Sequence, residues 1–290
     1  WGYGRSYTYA DLAEAYTACI EHGINWFDTA EIYGRGKSEL ILGGLVNGPE
    51  ATSGSVNGDQ PTEKPLIVTK FFPYPWRWHR SSMRRALNAS LGRLNTDYID
   101  LYQIHFPFRP RSFAYWVDAL ADAVQDGRVK AVGVSNYSAE QTKRAHEILA
   151  KRGVVLASNQ LGYSLLSRNI ESNGVMTACR ELGVSVISYG PLSEGLLTGK
   201  YRADNPPPLL RRWRWARKRL KLLPPLISLM NDIASAHDAS GSQVALNWLI
   251  KKGTLPIPGA KSAAQAADNA SAMKWELNNY EFEALNEETQ

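Results

Sequence analysis

The 290-residue chain is 44% apolar and 21% charged, a globular composition, and no apolar run reaches the ~18 residues that a membrane span needs. Its net charge of +5 is concentrated at residues 211–221, which carry seven basic side chains and no acid, so the remainder is nearly neutral and no nucleic-acid partner is expected. Cys19 and Cys179, the two cysteines, each sit in an apolar helical pattern and read as buried thiols of a reducing compartment rather than a disulfide framework or metal site.

Taken in order, residues 8–22 open with Thr8 and Asp11 at capping-box spacing and place Leu12, Tyr16, Cys19 and Ile20 on one helical face before Gly23. Residues 24–28 are a short apolar run, the pattern of a strand buried on both faces. The Gly-, Ser- and Asn-rich stretch 47–64 has no periodicity and reads as an exposed loop insertion. Strand 66–70 is followed by a helix marked by Met83, Leu87, Leu91 and Leu94, strand 98–105 by a helix striped from Phe113 to Val124, and strand 129–134 by a helix opening at Ser138 and Gln141. Strand 154–160, a helix through Val175, Met176, Cys179 and Leu182, and strand 184–189 continue the repeat. An irregular basic excursion, 202–225, then precedes a helix near Val244–Ile250, strand 255–257 and two terminal helices.

Alternating strands and helices, the strands apolar on both faces, call for a parallel sheet with helices outside, and the repeat fits one α/β domain over 1–290, a (β/α)8 TIM barrel. Seven strands are countable, so the first barrel strand is expected upstream of Trp1.

A barrel carries its active site where the strands end. These strands end on Asp28, Lys70, His105, Ser135–Asn136, Asn159–Gln160, Tyr189 and Gly259–Lys261, with Tyr33 in the first turn. Singly, a strand-end Asp is more often a helix cap and a His a satisfied core residue; together on one rim they read as a site. A tyrosine is a weak acid, with a pKa near ~10, unless a neighbouring ammonium stabilises its phenolate. Lys70 supplies that ammonium, Asp28 orients it, and His105 is placed to donate to a carbonyl oxygen. The set suits proton delivery to an oxygen that gains negative charge.

The segments Phe27–Ala30 with Tyr33–Gly34, Thr69–Lys70, Asp100–His105, Gly133–Asn136, Asn159–Gln160, Tyr189–Leu192 and Ile257–Lys261 resemble those of the aldo-keto reductases, in the same order. Gly-Leu-Leu-Thr-Gly-Lys-Tyr at 195–201 resembles plant, algal and cyanobacterial members and the potassium-channel β-subunit branch. The resemblance implies NADPH-dependent reduction of a small-molecule carbonyl, with Asp28, Tyr33, Lys70 and His105 as the catalytic tetrad. It further implies that Ser135, Asn136 and Gln160 hold the carboxamide, that Tyr189 stacks on the nicotinamide, and that Gly190, Pro191, Leu192, Gly195 and Leu196 border the pyrophosphate. Lys261 and Ser262 would meet the 2′-phosphate, and Asp268 and Asn269 would lie near the adenine. Gln265 stands where many members have an Arg, which removes one charge-assisted phosphate contact and softens the expected preference for NADPH over NADH. Ser262 with Gln265 is equally a capping box, a helix start that needs no ligand, and both readings hold together because helix N-termini bind phosphate. The implied compartment is the cytoplasm or the plastid stroma.

Phe72, Trp76 and Trp78 follow Lys70 directly and are expected to wall the substrate opening; the alternative is a surface loop with its rings packed on neighbouring helices. Tract 211–221, with Trp213 and Trp215 interleaved, has the composition of an anionic-surface patch but reads better as a solvated helix with snorkelling arginines. Two other functional readings stand beside the reductase: a cofactor-binding, redox-sensing partner protein with little turnover, and an inactive copy lacking its first strand.

Overall fold

The computed structural model describes residues 8–48, 64–108, 111–201 and 217–289. Most of the loop insertion expected over 47–64 and the 202–216 part of the basic excursion lie outside the described residues. Seven parallel strands, β1 (Trp26–Asp28), β2 (Leu66–Phe71), β3 (Ile99–Ile104), β4 (Val129–Ser135), β5 (Leu156–Gly162), β6 (Ser185–Tyr189) and β7 (Leu255–Ile257), form one sheet in chain order, curled into a nearly closed barrel. In-register pairs run along the rim: Asp28 with Val68, Lys70 with Gln103, Ser135 with Gln160, and Tyr189 with Ile257.

The helices are α1 (Tyr9–Glu21), α2 (Lys37–Asn47), α3 (Arg80–Leu94), α4 (Phe113–Gln125), α5 (Ala139–Ala150), α6 (Asn169–Ser172), α7 (Val175–Glu181), α8 (Arg217–Ala236), α9 (Gly241–Lys251), α10 (Ala263–Ser271) and α11 (Asn279–Glu288). The capping boxes read at Thr8/Asp11 and Ser138/Gln141 are both formed, each with reciprocal bonds. The α3 stripe is buried at Met83, Leu87, Leu91 and Leu94, each such side chain being worth ~1.5–3 kcal/mol relative to exposure. Part of the expected excursion is regular, since 217–225 belong to α8 with Pro224 and Pro225 inside the helix. It is held by an apolar face of Leu223, Leu226, Met230 and Ile233, all buried.

Inside the barrel, Val68, Leu101 and Ile187 form an apolar layer. Gln103, Ser158 and Gln160 make a separate polar chain, with Gln103 Nε2 3.1 Å from Ser158 Oγ and Gln160 Nε2 3.2 Å from Gln103 Oε1. Where β4 shifts register against β5, Gly133 allows the close approach: a Cβ there would stand 2.3 Å from Ser158 Oγ and 3.0 Å from its carbonyl oxygen.

Among the described residues β1 pairs only with β2, and β7 only with β6. Between these two edges lies a cavity of about 560 Å³, lined by Leu12 and Tyr16 of α1, Trp26 of β1, Ile257 of β7, and Ala266 and Ala270 of α10. No residue of β1 or β7 is fully buried, unlike most of the strand positions between them. Outside the opening, α1 and α10 pack through Ala15, Ala18 and Ala266, so the helical layer is continuous where the sheet is not.

Candidate active site

The β1 exit brings Asp28 to the rim, and the turn that follows carries Tyr33 into a tight bend of left-handed residues: Gly34 (φ 58°), Arg35 (φ 57°) and Gly36 (φ 88°). Lys70, near the end of β2, is fully buried; its Nζ lies 2.5 Å from Asp28 Oδ1 and 2.8 Å from the Thr29 carbonyl oxygen. Burial pulls its pKa below the usual lysine value, while Asp28 and the wholly buried Glu39 oppose that shift. The same ammonium stands 5.3 Å from the centre of the Tyr33 ring. His105, directly after β3, meets Tyr33 edge to face at 5.5 Å. Burial, helped by the charge of Lys70, pushes the imidazole pKa down to about 3, so it is neutral at physiological pH, and its Nδ1 is buried without a hydrogen-bond partner. The four residues named from the sequence are therefore brought together by three adjacent strands and one turn.

A second group is bonded to the first. Gln160 Nε2 donates to Asp28 Oδ2 at 2.8 Å across the barrel. Ser135 Oγ donates to the Gln160 carbonyl, and Asn136, held at φ 63°, donates through Nδ2 to Ser135 Oγ and the His105 carbonyl. Tyr189 Oη donates to Asn136 Oδ1 at 2.9 Å, which fixes a ring that is 40% exposed. After it the backbone turns left-handed at Gly190, Ser193, Glu194 and Gly195, and such a run of non-glycine outliers marks a constrained loop. Leu192 packs against the core and Leu196 is buried in it. Asn159, one residue from Gln160, points to the opposite face, where Nδ2 donates to the Tyr137 carbonyl and Thr142 Oγ1.

Beyond β7, Ser262 caps α10 by accepting from Gln265 N–H, while the Gln265 side chain accepts from the Lys261 N–H instead of completing the reciprocal box. Asp268 accepts from Ser240 and Gln243 and so ties α10 to the start of α9; Asn269 lines the opening between β7 and β1. Phe72 stands edge-on to His105 at 5.8 Å, and Trp76, 70% exposed, stacks on Tyr74 at 4.6 Å. Trp78 belongs to another contact set, with Arg111 over its ring.

Sequence reading missed several participants. Phe106 and Phe108 extend a parallel stack outward from His105, at 5.1 and 4.8 Å, and their position directly after the strand end was a usable signal. Gln103 links Gln160 to the barrel interior, and Glu39 accepts from Thr69 Oγ1 and Arg93 Nε beside Lys70. Glu39 lies on α2, a helix that the reading did not find.

The model of the aldo/keto reductase family matches residues 1–289. The chain belongs to the aldo/keto reductase family. Several relatives are named as reductases or dehydrogenases. The chloroplastic pyridoxal reductase of Arabidopsis thaliana is 38% identical over 97% of this chain and 77% of its own length. The methylglyoxal reductase of Escherichia coli is 30% identical, covering 93% and 82%. Among solved structures, the glycerol dehydrogenase of Gluconobacter oxydans superposes with a TM-score of 0.82 at 25% identity, over 99% of this chain and 86% of that one. A thermostable aldo-keto reductase solved with the inhibitor epalrestat gives 0.76 at 26%, over 99% and 89%. Among the described residues no helix is long and apolar enough to cross a membrane.

Proposed function

We propose that this family member reduces aldehyde or ketone carbonyls with NADPH, Tyr33 giving the proton. The observation that carries the reading is the fully buried Lys70 ammonium, held by Asp28 and the Thr29 carbonyl and 5.3 Å from the Tyr33 ring centre. A fixed positive charge at that distance stabilises the phenolate that Tyr33 becomes when its proton leaves. His105, neutral because it is buried, keeps one N–H with which to steady the carbonyl oxygen as negative charge develops there.

Reduced nicotinamide, when bound, supplies the hydride. The residues present fit such a group: the Tyr189 ring is exposed yet held by its hydroxyl, and Ser135, Asn136 and Gln160 stand beside it within one network that reaches Asp28. In this structure those three satisfy one another, so gripping a carboxamide exchanges bonds within the network. Gly190, Pro191, Leu192 and Gly195 form the adjoining loop, with Leu196 contributing only from the core side. Lys261 and Ser262, before α10, are assigned to the 2′-phosphate, with Gln265 in place of a second cation. Phe72, the Tyr74–Trp76 stack, Phe106 and Phe108 make the substrate wall apolar and flat-sided. Of the two thiols expected to be buried, Cys179 is, whereas Cys19 is half-buried and lines the opening beside β1; burial still pushes both up to about 11, which suits inert cysteines in a reducing cytoplasm or plastid stroma.

Replacing Tyr33 with Phe removes only the proton donor. Reduction of test aldehydes should stop while NADPH still quenches tryptophan fluorescence with unchanged affinity; an active Tyr33→Phe protein would refute the mechanism.

A further inference from the structure

Two fastenings cross from the exit of β1 to the exit of β2. The inner one is Lys70 with Asp28 and the Thr29 carbonyl, already given a chemical role. The outer one joins Glu31, two residues before Tyr33, to the loop after β2. Glu31 Oε1 accepts from the Phe72 N–H at 2.6 Å and from Arg77 Nη1 at 2.5 Å, and Oε2 accepts from Arg77 Nη2 at 2.9 Å. Arg77 Nη1 donates as well to the Phe72 carbonyl at 2.7 Å. Its guanidinium lies 4.8 Å from the Phe71 ring centre and 5.0 Å from that of Tyr74.

The pair is largely withdrawn from water, with side chains 17% exposed for Arg77 and 8% for Glu31. Desolvating two charges offsets most of their attraction, so a buried pair is a poor device for stability alone and a good one for fixing geometry. What it fixes is specific. Both backbone polar groups of Phe72 are engaged, and that ring abuts His105. On the other side it anchors the turn whose next residues are Tyr33 and the left-handed run 34–36, a backbone that persists only when its surroundings over-determine it. The fork geometry needs arginine, because a lysine cannot reach both carboxylate oxygens and the carbonyl in one plane.

We infer that Glu31 and Arg77 are positioning residues of the reductase site: their clamp holds the Tyr33 turn against Lys70 and sets Phe72 against His105. The inference rests on the proposed proton donation by Tyr33. Its effect belongs to the chemical step and to substrate seating, since none of the clamp's partners is in the Ser135–Asn136–Gln160–Tyr189 network.

The test uses the 290-residue protein and the variants Arg77→Ala, Arg77→Lys and Glu31→Gln, with 4-nitrobenzaldehyde as substrate. A misplacement of about 1 Å costs up to roughly 10²-fold in rate, so Arg77→Ala should lower kcat by at least about tenfold while the NADPH dissociation constant stays within about twofold. Arg77→Lys should recover part of the rate, and Glu31→Gln, which keeps shape and one acceptor, should lower kcat by less than Arg77→Ala does. Should Arg77→Ala fail to fold, the other two variants carry the same expectations. Variants with altered melting temperature but unchanged kcat would overturn the inference and leave a purely structural tie. An active Tyr33→Phe protein would instead overturn the proposed mechanism, whatever the Arg77 variants do.

Discussion

His105 offers the sharpest electrostatic test, because its perturbation has one dominant cause. Burial, with a smaller push from the Lys70 ammonium, lowers its pKa from 6.5 to about 3. The folded state therefore binds fewer protons than the unfolded state between those values, and stability falls as pH drops through that window. Above 6.5 both states are neutral and the group contributes nothing; below about 3 the penalty is complete. With those two values, lowering the pH from 7 to 5 removes about 2 kcal/mol of folding stability. The side chain is only 8% exposed, so solvent screening takes little from this figure. Other groups titrate over the same range, and the measurement is therefore a difference: urea unfolding at pH 7 and pH 5 for the natural protein and for His105→Gln. The natural protein should lose about 2 kcal/mol more than the variant between the two conditions. Equal losses would mean that His105 takes up its proton in the folded state as readily as in the unfolded one, and would remove the basis for a neutral N–H donor at the carbonyl oxygen.

Lys70→Met should abolish reduction and also cost about 3–5 kcal/mol in urea unfolding, because Asp28, 11% exposed, loses its counter-charge. Adding Asp28→Asn should restore most of that stability and none of the activity, a separation that a simple packing defect would not produce. Gly133→Ala should destabilise the protein by about 1–3 kcal/mol in thermal or urea unfolding, since the new Cβ meets both Ser158 Oγ at 2.3 Å and its carbonyl oxygen at 3.0 Å. Ser158→Ala in the same chain should relieve only part of this, because the carbonyl stays in place.

What could be read from the chain follows how local each cause is. Most barrel strands are short apolar runs with a polar residue at or next to their end, so the strands were legible within two residues, and with them the placing of Asp28, Lys70 and His105 on one rim. Helix α2 was not, because Gly43 and Gly44 break its apolar period; yet Gly43 is needed there, a Cβ at that position lying 2.6 Å from the Arg93 carbonyl oxygen. Pro224 and Pro225 mimic a helix break, while the burial of Leu223, Leu226 and Met230 that sustains α8 is visible only after folding. The Glu31–Arg77 clamp was illegible for a related reason. Its partners are 46 residues apart, and nothing in the turn around Glu31 distinguishes a clamped acid from a solvated one.

Among the described residues the sheet is open between β7 and β1. Asp28, Tyr33, Lys70 and His105 come from β1, its turn, β2 and β3, which are hydrogen-bonded to one another without interruption. Ser135, Gln160 and Tyr189 come from β4 to β6, equally continuous with them. Only the stretch after β7, with Lys261 and Ser262, is separated from Asp28 by the open seam, while on its other side β7 remains paired to β6. Across that seam the connection is apolar helix packing between α1 and α10, and Trp26 Nε1 on the β1 side is buried without a partner. Asp28 itself borders the opening, yet it is gripped from β2 by Lys70 and from β5 by Gln160, and neither contact crosses between β7 and β1.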